Sequence, residues 1–492
     1  MCAGRSKQGL SRCCGGLLIH LPEVLSFDRS LLPHFRPGPH ENVRRHEPLT
    51  RIQDGKLEPI ENMTGTISAV TLDSGKTPQQ LCAERSKRLL DALQLKQPDR
   101  IPIHLFLGYM LAELEGATRQ ELFENPDRAR AAMVKAALQF QPDALSGPWG
   151  SPELSRTLGD QSTKWPGYGL GPNGSFQFVE GEYMKAEDYD DFLEDPADWG
   201  IRVFLPRVFS ELNGLSLLPP LGLSTFGYYG MLNLGIFNHP EVEKALRALA
   251  KASQLQAESM RRQRATMERL VALGFPPMPF FGTLLEAPFD FMSDTLRGMK
   301  GIFLDMRRCP DKLLAAQEKV ARFQLQHAIA SSRPLVAAGN IACATFPLHR
   351  GSDEFMSLQQ FERFYWPQLK SLFLKLIDHG MTVFVLYEGI WDKRLKYLAE
   401  LPKGKTVGWF QSSDIFKVKE VLGDTMCILG GMPVSMLIGG TLDQVREHTK
   451  KVCQIVGKGG GFIMTTGTGE MEGCKPELVK AWVDATKEFG TY

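Results

Sequence analysis

Residues 381–410 read MTVFVLYEGIWDKRLKYLAELPKGKTVGWF. An apolar, β-branched run (382–387) gives way to an amphipathic segment, and a second apolar run follows at 405–411. Runs this short, bounded by glycine, proline and charge, predict strands buried on both faces, and the segment between them predicts a helix. The same alternation extends in both directions. Upstream, FPPMPFFG (275–282) and NIACATFP (340–347) read as strands, separated by the helical pattern PDKLLAAQEKVARFQLQHAIA (310–330). Downstream, MCILGG (426–431) and GGFIMTTGT (460–468) are strands flanked by the helical runs DIFKVKEVLG (414–423), TLDQVREHTKKVCQIVG (441–457) and KPELVKAWVDATKEFG (475–490). Earlier still, RIPIHLFL (100–107) and PDALSGP (142–148) add two more strands, after a helix opening on Thr77-Pro78. Strands alternating with amphipathic helices mean a parallel sheet. So many units in one chain favour closure into an α/β (β/α)8 TIM barrel over an open sheet, and no GxGxxG or Walker sequence follows any strand.

Two regions depart from the pattern. Residues 1–75 hold Pro33, Pro37, Pro39 and Pro48, several arginines and no sustained apolar period, and are read as a poorly ordered N-terminal extension. Met63 offers an alternative start. The remainder, 76–492, is the barrel, interrupted at 147–232 by a segment rich in glycine, proline and aromatics that reads as an insertion or lid. Its aromatics (Trp149, Trp165, Tyr168, Phe176, Phe178, Tyr183, Tyr228, Tyr229) either wall a flat apolar ligand or form a small core of their own. A net charge of +1 gives no electrostatic footprint for nucleic acid or an anionic membrane. No run approaches the roughly 18 apolar residues that span a bilayer. The nine cysteines show no CxxC spacing and read as reduced thiols in the core. A cytoplasmic location is expected.

In a (β/α)8 barrel, chemistry sits at the C-terminal ends of the strands and in the loops that follow. That rule selects Glu286 and Asp290 after the 275–285 region, His349, Arg350, Asp353 and Glu354 after 340–347, and Tyr387, Glu388, Asp392 and Arg394 after 382–387. The last strand ends at Thr466 and Thr468, with Gly467 and Gly469 allowing close backbone approach. Of these, Glu388, Asp392, His349, Asp353 and Asp290 are candidate catalytic groups; Tyr387, Arg350, Glu286, Thr466 and Thr468 are candidate substrate contacts. Structural readings stand beside them. Asp353 and Glu354 suit the first turn of a helix, Asp392 suits a surface ion pair with Arg394 or a nearby lysine, and His349 suits a polar loop. His104, flanked by Ile103 and Leu105, suits a satisfied interior position. Glu388 is the hardest to dismiss, because a carboxylate directly after VFVLY is costly to bury without a partner.

The stretch EAPFDFMSDTLRGMKGIFLDMRRCPDKLLAAQEKV (286–320) resembles a segment of the uroporphyrinogen decarboxylase superfamily, and 414–452, GGFIMTTGTG (460–469) and 475–490 resemble its closing segment. The likeness covers about residues 80–490. It implies a (β/α)8 barrel and one of two activities: decarboxylation of a tetrapyrrole-like or other anionic substrate, or methyl transfer between a small molecule and a corrinoid held by a partner protein. The arginine-rich segment that holds substrate carboxylates in the decarboxylases is replaced here by RIPIHLFLGYMLAELEG (100–116). The zinc ligands of the thiol-methylating branch fall at Leu386, Glu388 and Thr468, and its Gly-Asn is Gly430-Gly431. The resemblance therefore implies a divergent member nearer the methyltransferases, with corrinoid supplied by a partner and Glu388 with His349 as the available zinc ligands. A homodimer and a non-catalytic tetrapyrrole or corrinoid binder are the remaining alternatives.

Overall fold

The computed structural model describes residues 75–148, 150–279, 282–337, 340–467 and 471–492. The expected extension up to residue 74, Trp149 and Thr468 lie outside these. The chain divides into two compact units, residues 1–71 with 333–340, and 72–332 with 341–492. Of the first, residues 333–337, which are helical, and Asn340 are described. The second holds the sheet and the site.

Its strands are β1 (His104–Phe106), β2 (Ala144–Ser146), β3 (Thr283–Leu284), β4 (Cys343–Leu348), β5 (Thr382–Tyr387), β6 (Thr406–Phe410), β7 (Cys427–Met432) and β8 (Phe462–Thr466). β3 through β8 form one parallel sheet in sequence order, and β1 pairs with β2 in parallel. A parallel bridge between Ile103 and Met464 joins the two sheets, reinforced by the Met464 amide donating to Pro102 O at 2.9 Å. The strand order is that of a barrel. Among the described residues, however, no ladder connects β2 to β3, so the α/β architecture with parallel sheets stands while ring closure is not drawn by hydrogen bonds.

No strand forms over the described part of 275–282; the short strand of this region is Thr283–Leu284, just beyond it. Proline has no amide to give a ladder, and Pro276, Pro277 and Pro279 remove three donors from that run. The others form near their expected places because their runs are largely apolar: Val383, Val385 and Tyr387 in β5 and Val407 and Trp409 in β6 are almost wholly buried. At the N-terminal ends of β1 and β2, the buried Asp143 carboxylate accepts from Arg100 (2.7 and 2.9 Å), Arg88 and the Ile103 amide (2.8 Å). His104 is interior, its Nε2 3.1 Å from Ser146 Oγ across the β1–β2 pair and its ring edge-on to Trp409. Burial pushes its pKa down to about 3, so it stays neutral.

Helices cover the strands. α1 (Pro78–Leu93) opens with a capping box: Gln80 N donates to Thr77 Oγ1, and Thr77 N donates to Gln80 Oε1. α2 (Pro126–Phe140) follows β1 and is capped by Asn125. The region from 147 contains short helices and a small three-stranded sheet (Thr163–Pro166, Gly169–Leu170, Gln177–Phe178) rather than structureless chain. Trp165 is buried there against Phe176, ring centroids 4.4 Å apart, while Tyr228 and Tyr229 are each 80% exposed. The segment leads into α3 (Pro240–Ala272), whose Val242 and Ala245 share a separate small core with Leu212, Leu215 and Leu218.

Candidate functional site

β4 and β5 run side by side in register, Leu348 opposite Tyr387, so the residues that follow each emerge together. His349 leaves the end of β4 and Glu388 leaves the end of β5, the Glu388 amide still donating to Leu348 O at 3.2 Å. Gly389 then turns the chain with φ +74°; a Cβ there would also lie 2.9 Å from Glu354 Oε2, so this position needs glycine. The turn leaves the Glu388 side chain at the mouth, 37% exposed, with His349 beside it at 36%. Both are reachable from solvent.

His349 sits between two carboxylates. Its Nδ1 is 2.7 Å from Asp294 Oδ2, and its Nε2 is 3.5 Å from Glu388 Oε1. Asp294 also accepts from Arg350 Nε, and the Arg350 guanidinium lies 4.9 Å over the Phe355 ring. One turn before Asp294, the fully buried Asp290 receives the His349 amide (2.9 Å), the Arg350 amide (3.2 Å) and the Tyr365 hydroxyl (2.9 Å). Asp290 thus fixes the backbone from which His349 and Arg350 project, and Asp294 fixes their side chains. Glu286 joins the cluster through Thr295, whose hydroxyl donates at 3.1 Å.

The electrostatics follow from burial and charge. Burial would lower the His349 pKa, but the hydrogen bonds to Asp294 and Glu388, the Glu388 charge and the Asp290 charge reverse this and hold it at about 11. Burial acts to raise Asp294 too, yet His349 and Arg350 overcome it and keep that carboxyl below its ordinary range. Burial, then the Asp294 charge, pushes Asp290 upward, and the same causes raise Glu286. His349 is therefore an imidazolium at neutral pH. Because folding raises its pKa, its contribution to stability is complete below the unfolded value of about 6.5 and is lost as pH climbs through about 11. Replacing His349 by Gln is expected to cost most near neutrality and steadily less toward alkaline pH. Urea midpoints of both proteins across that range check this, and a stability gap that widened with pH would refute it.

The remaining candidates lie apart from the His349 cluster. Asp353 is committed to Arg394, a wholly buried cation that also donates to Gly351 O and Met356 O; the other Asp353 oxygen accepts from the Lys393 amide at 3.0 Å. Asp392, for which Arg394 or a lysine was expected as partner, instead accepts from the Asp414 amide at 3.3 Å. Tyr387 is fully buried, stacked on Phe410 at 4.7 Å and against Trp391 at 5.0 Å, its hydroxyl without a hydrogen-bond partner among the described residues. Thr466 is buried, its carbonyl accepting from Trp409 Nε1 at 2.7 Å. Sequence reading missed Asp294 and Tyr365. The first had a signal: it falls four residues after Asp290 on a helical segment, which puts both carboxylates on one face.

The fold is an α/β one with parallel sheets, and the ends of two adjacent strands bring His349 and Glu388 together with Asp294 in an acid–imidazole–acid cluster. The uroporphyrinogen decarboxylase (URO-D) family model matches residues 235–489, more than half of the chain, and the chain belongs to that family. A solved structure, a methyltransferase from Methanosarcina mazei, superposes with a TM-score of 0.52 at 17% sequence identity, covering 82% of this chain and 98% of that one. At that identity the likeness is one of fold. No curated protein matches the chain. Among the described residues, no helix is long and apolar enough to cross a membrane.

Proposed function

We propose that the chain closes into a (β/α)8 barrel and moves a methyl group between a small neutral or cationic molecule and a corrinoid held by a partner protein. The observation that carries this reading is His349 clamped between Asp294 and Glu388 at the strand mouth. As the methyl–heteroatom bond of the substrate breaks, its electron pair stays on the heteroatom, and the His349–Glu388 pair supplies the proton that heteroatom takes up. Asp294 orients the imidazolium, and Asp290 positions the loop. The corrinoid, when bound with its partner, would accept the methyl group.

Charge at the mouth favours this over decarboxylation of a polyanion. In the loops that directly follow the eight strands, the described residues carry seven carboxylates against four arginines and lysines, with His349 besides; Asp290, Asp294 and Arg297 follow on the helical segment after β3. The arginines are already committed: Arg350 to Asp294, Arg394 to Asp353, and Arg297 to Asp305. A substrate with several carboxylates needs unspent cations to hold it. Zinc does not fit as well as the resemblance implied. His349 and Glu388 are the ligands available, both ring nitrogens of His349 already face carboxylates, and no group of three or more ligating side chains forms among the described residues. No step is routed through a metal.

Incubating the full chain with reduced cobalamin and a panel of methyl donors, a methoxyphenol and tetramethylammonium among them, tests the reading. Methylcobalamin formation followed by absorbance is the expected result. Carbon dioxide release from uroporphyrinogen without methyl transfer would replace it with the decarboxylase reading, and binding of either class without turnover would leave a non-catalytic binder.

A further inference from the structure

A cleft of about 790 Å³ lies apart from the His349 site. It lies between the loop 180–186 and α4 (Gly298–Arg308), on the far side of an aromatic pair from Arg350: Phe303 lines the cleft and stacks on Phe355 at 5.1 Å, and Phe355 carries the Arg350 guanidinium on its ring. Its volume is that of a small-molecule site, about 300–1,000 Å³.

The carboxylates of this cleft are already used. Asp305 and Glu182 both hold Arg297, which is 3% exposed; Tyr189 donates to Asp305 at 2.9 Å, and Glu180 accepts from the Met299 amide. Gly298 lets the loop close on the helix, since at φ +68° a Cβ would sit 3.2 Å from Gly181 O. The cations on the open side are not used in the same way. Lys300 and Arg308 line the cleft, and neither has an ion-pair partner among the described residues. Eight residues apart on one helix, they are separated by about 12 Å along its axis. Between them the wall is apolar, formed by Phe303 and Leu304.

Two unspent cations at the ends of an apolar strip match an elongated organic dianion. We infer that this cleft binds a small dianionic molecule with an apolar middle, its acidic groups meeting Lys300 and Arg308 and its body lying on Phe303 and Leu304. The inference is independent of methyl transfer, because it concerns other residues and needs no turnover.

Calorimetric titration of the full chain with decanedioate tests it, with decane-1,10-diol and butanedioate as controls. Saturable binding of decanedioate at one site is expected, with the uncharged diol and the short diacid weaker by on the order of tenfold or more. K300E and R308E, both on the exposed face of α4, should each weaken decanedioate by a similar factor, and L304D should do so without touching either cation. Hydrogen-exchange protection on binding should appear in residues 180–186 and 298–309. Equal affinity in K300E, R308E and the parent would overturn the assignment, as would a diol that binds as well as the dianion or protection confined to other segments.

Discussion

Glu388→Gln is expected to lower kcat for methyl transfer by about 10²- to 10⁴-fold, the range for removing a positioned proton-transfer group. The substitution keeps size and shape, so the fold and the glycine turn at 389 are retained. What is lost is the carboxylate that faces His349 Nε2 at 3.5 Å. KM should move little, since Glu388 is assigned to the breaking bond rather than to holding the rest of the substrate. His349→Gln should fall to a similar level, and the double variant little further, because two groups that act on one proton are not additive. Asp294→Asn separates orientation from chemistry. With that carboxylate neutralised, the His349 pKa must drop from about 11, so a descending limb absent from the parent should enter the pH–rate profile nearer neutrality. A purely structural Asp294 would lower activity equally at every pH. Retention of activity within about threefold in Glu388→Gln would remove the carboxylate from the mechanism.

The parts of the fold that are legible in the sequence are those where one physical signal acts alone. β5 and β6 are short runs of five or six residues, rich in β-branched and aromatic side chains and bounded by glycine and charge, which favours a strand over a buried helix. β3 was misplaced because the run FPPMPFFG is apolar but its prolines cannot donate to a ladder; hydrophobicity and hydrogen bonding disagree there, and hydrogen bonding decides. The site divides similarly. His349 and Glu388 are visible because adjacent parallel strands in register must deliver their following residues to one place. Asp353 looks like an equal candidate in sequence, four residues from His349, but its real partner, Arg394, is 41 residues away. Only the three-dimensional pairing distinguishes a carboxylate that neutralises a buried cation from one left facing the mouth.

That pairing has its own consequence. Asp353→Ala is expected to destabilise the protein by about 3–5 kcal/mol, because it leaves a buried guanidinium without a countercharge. Arg394 is 1% exposed and the Asp353 side chain 8%, so water cannot replace the lost carboxylate without local opening. Arg394→Met should cost less, since it removes the charge and leaves an apolar chain of similar length, although the Gly351 and Met356 carbonyls lose their donor. The double replacement Asp353→Ala with Arg394→Met should be more stable than Asp353→Ala alone, and the shortfall from additivity of the two single variants measures the pair. The pair also braces the loop that follows His349 to the loop that follows Glu388, with help from the Asp353 amide bond to Ile390 O at 2.6 Å. Asp353→Ala should therefore lower kcat at temperatures where the variant is still folded, by letting His349 and Glu388 drift apart. Urea unfolding read by fluorescence, alongside kcat at a temperature below the transition, checks both effects. Stability within about 0.5 kcal/mol of the parent would mean that Arg394 reaches solvent, and the brace would then have no physical basis.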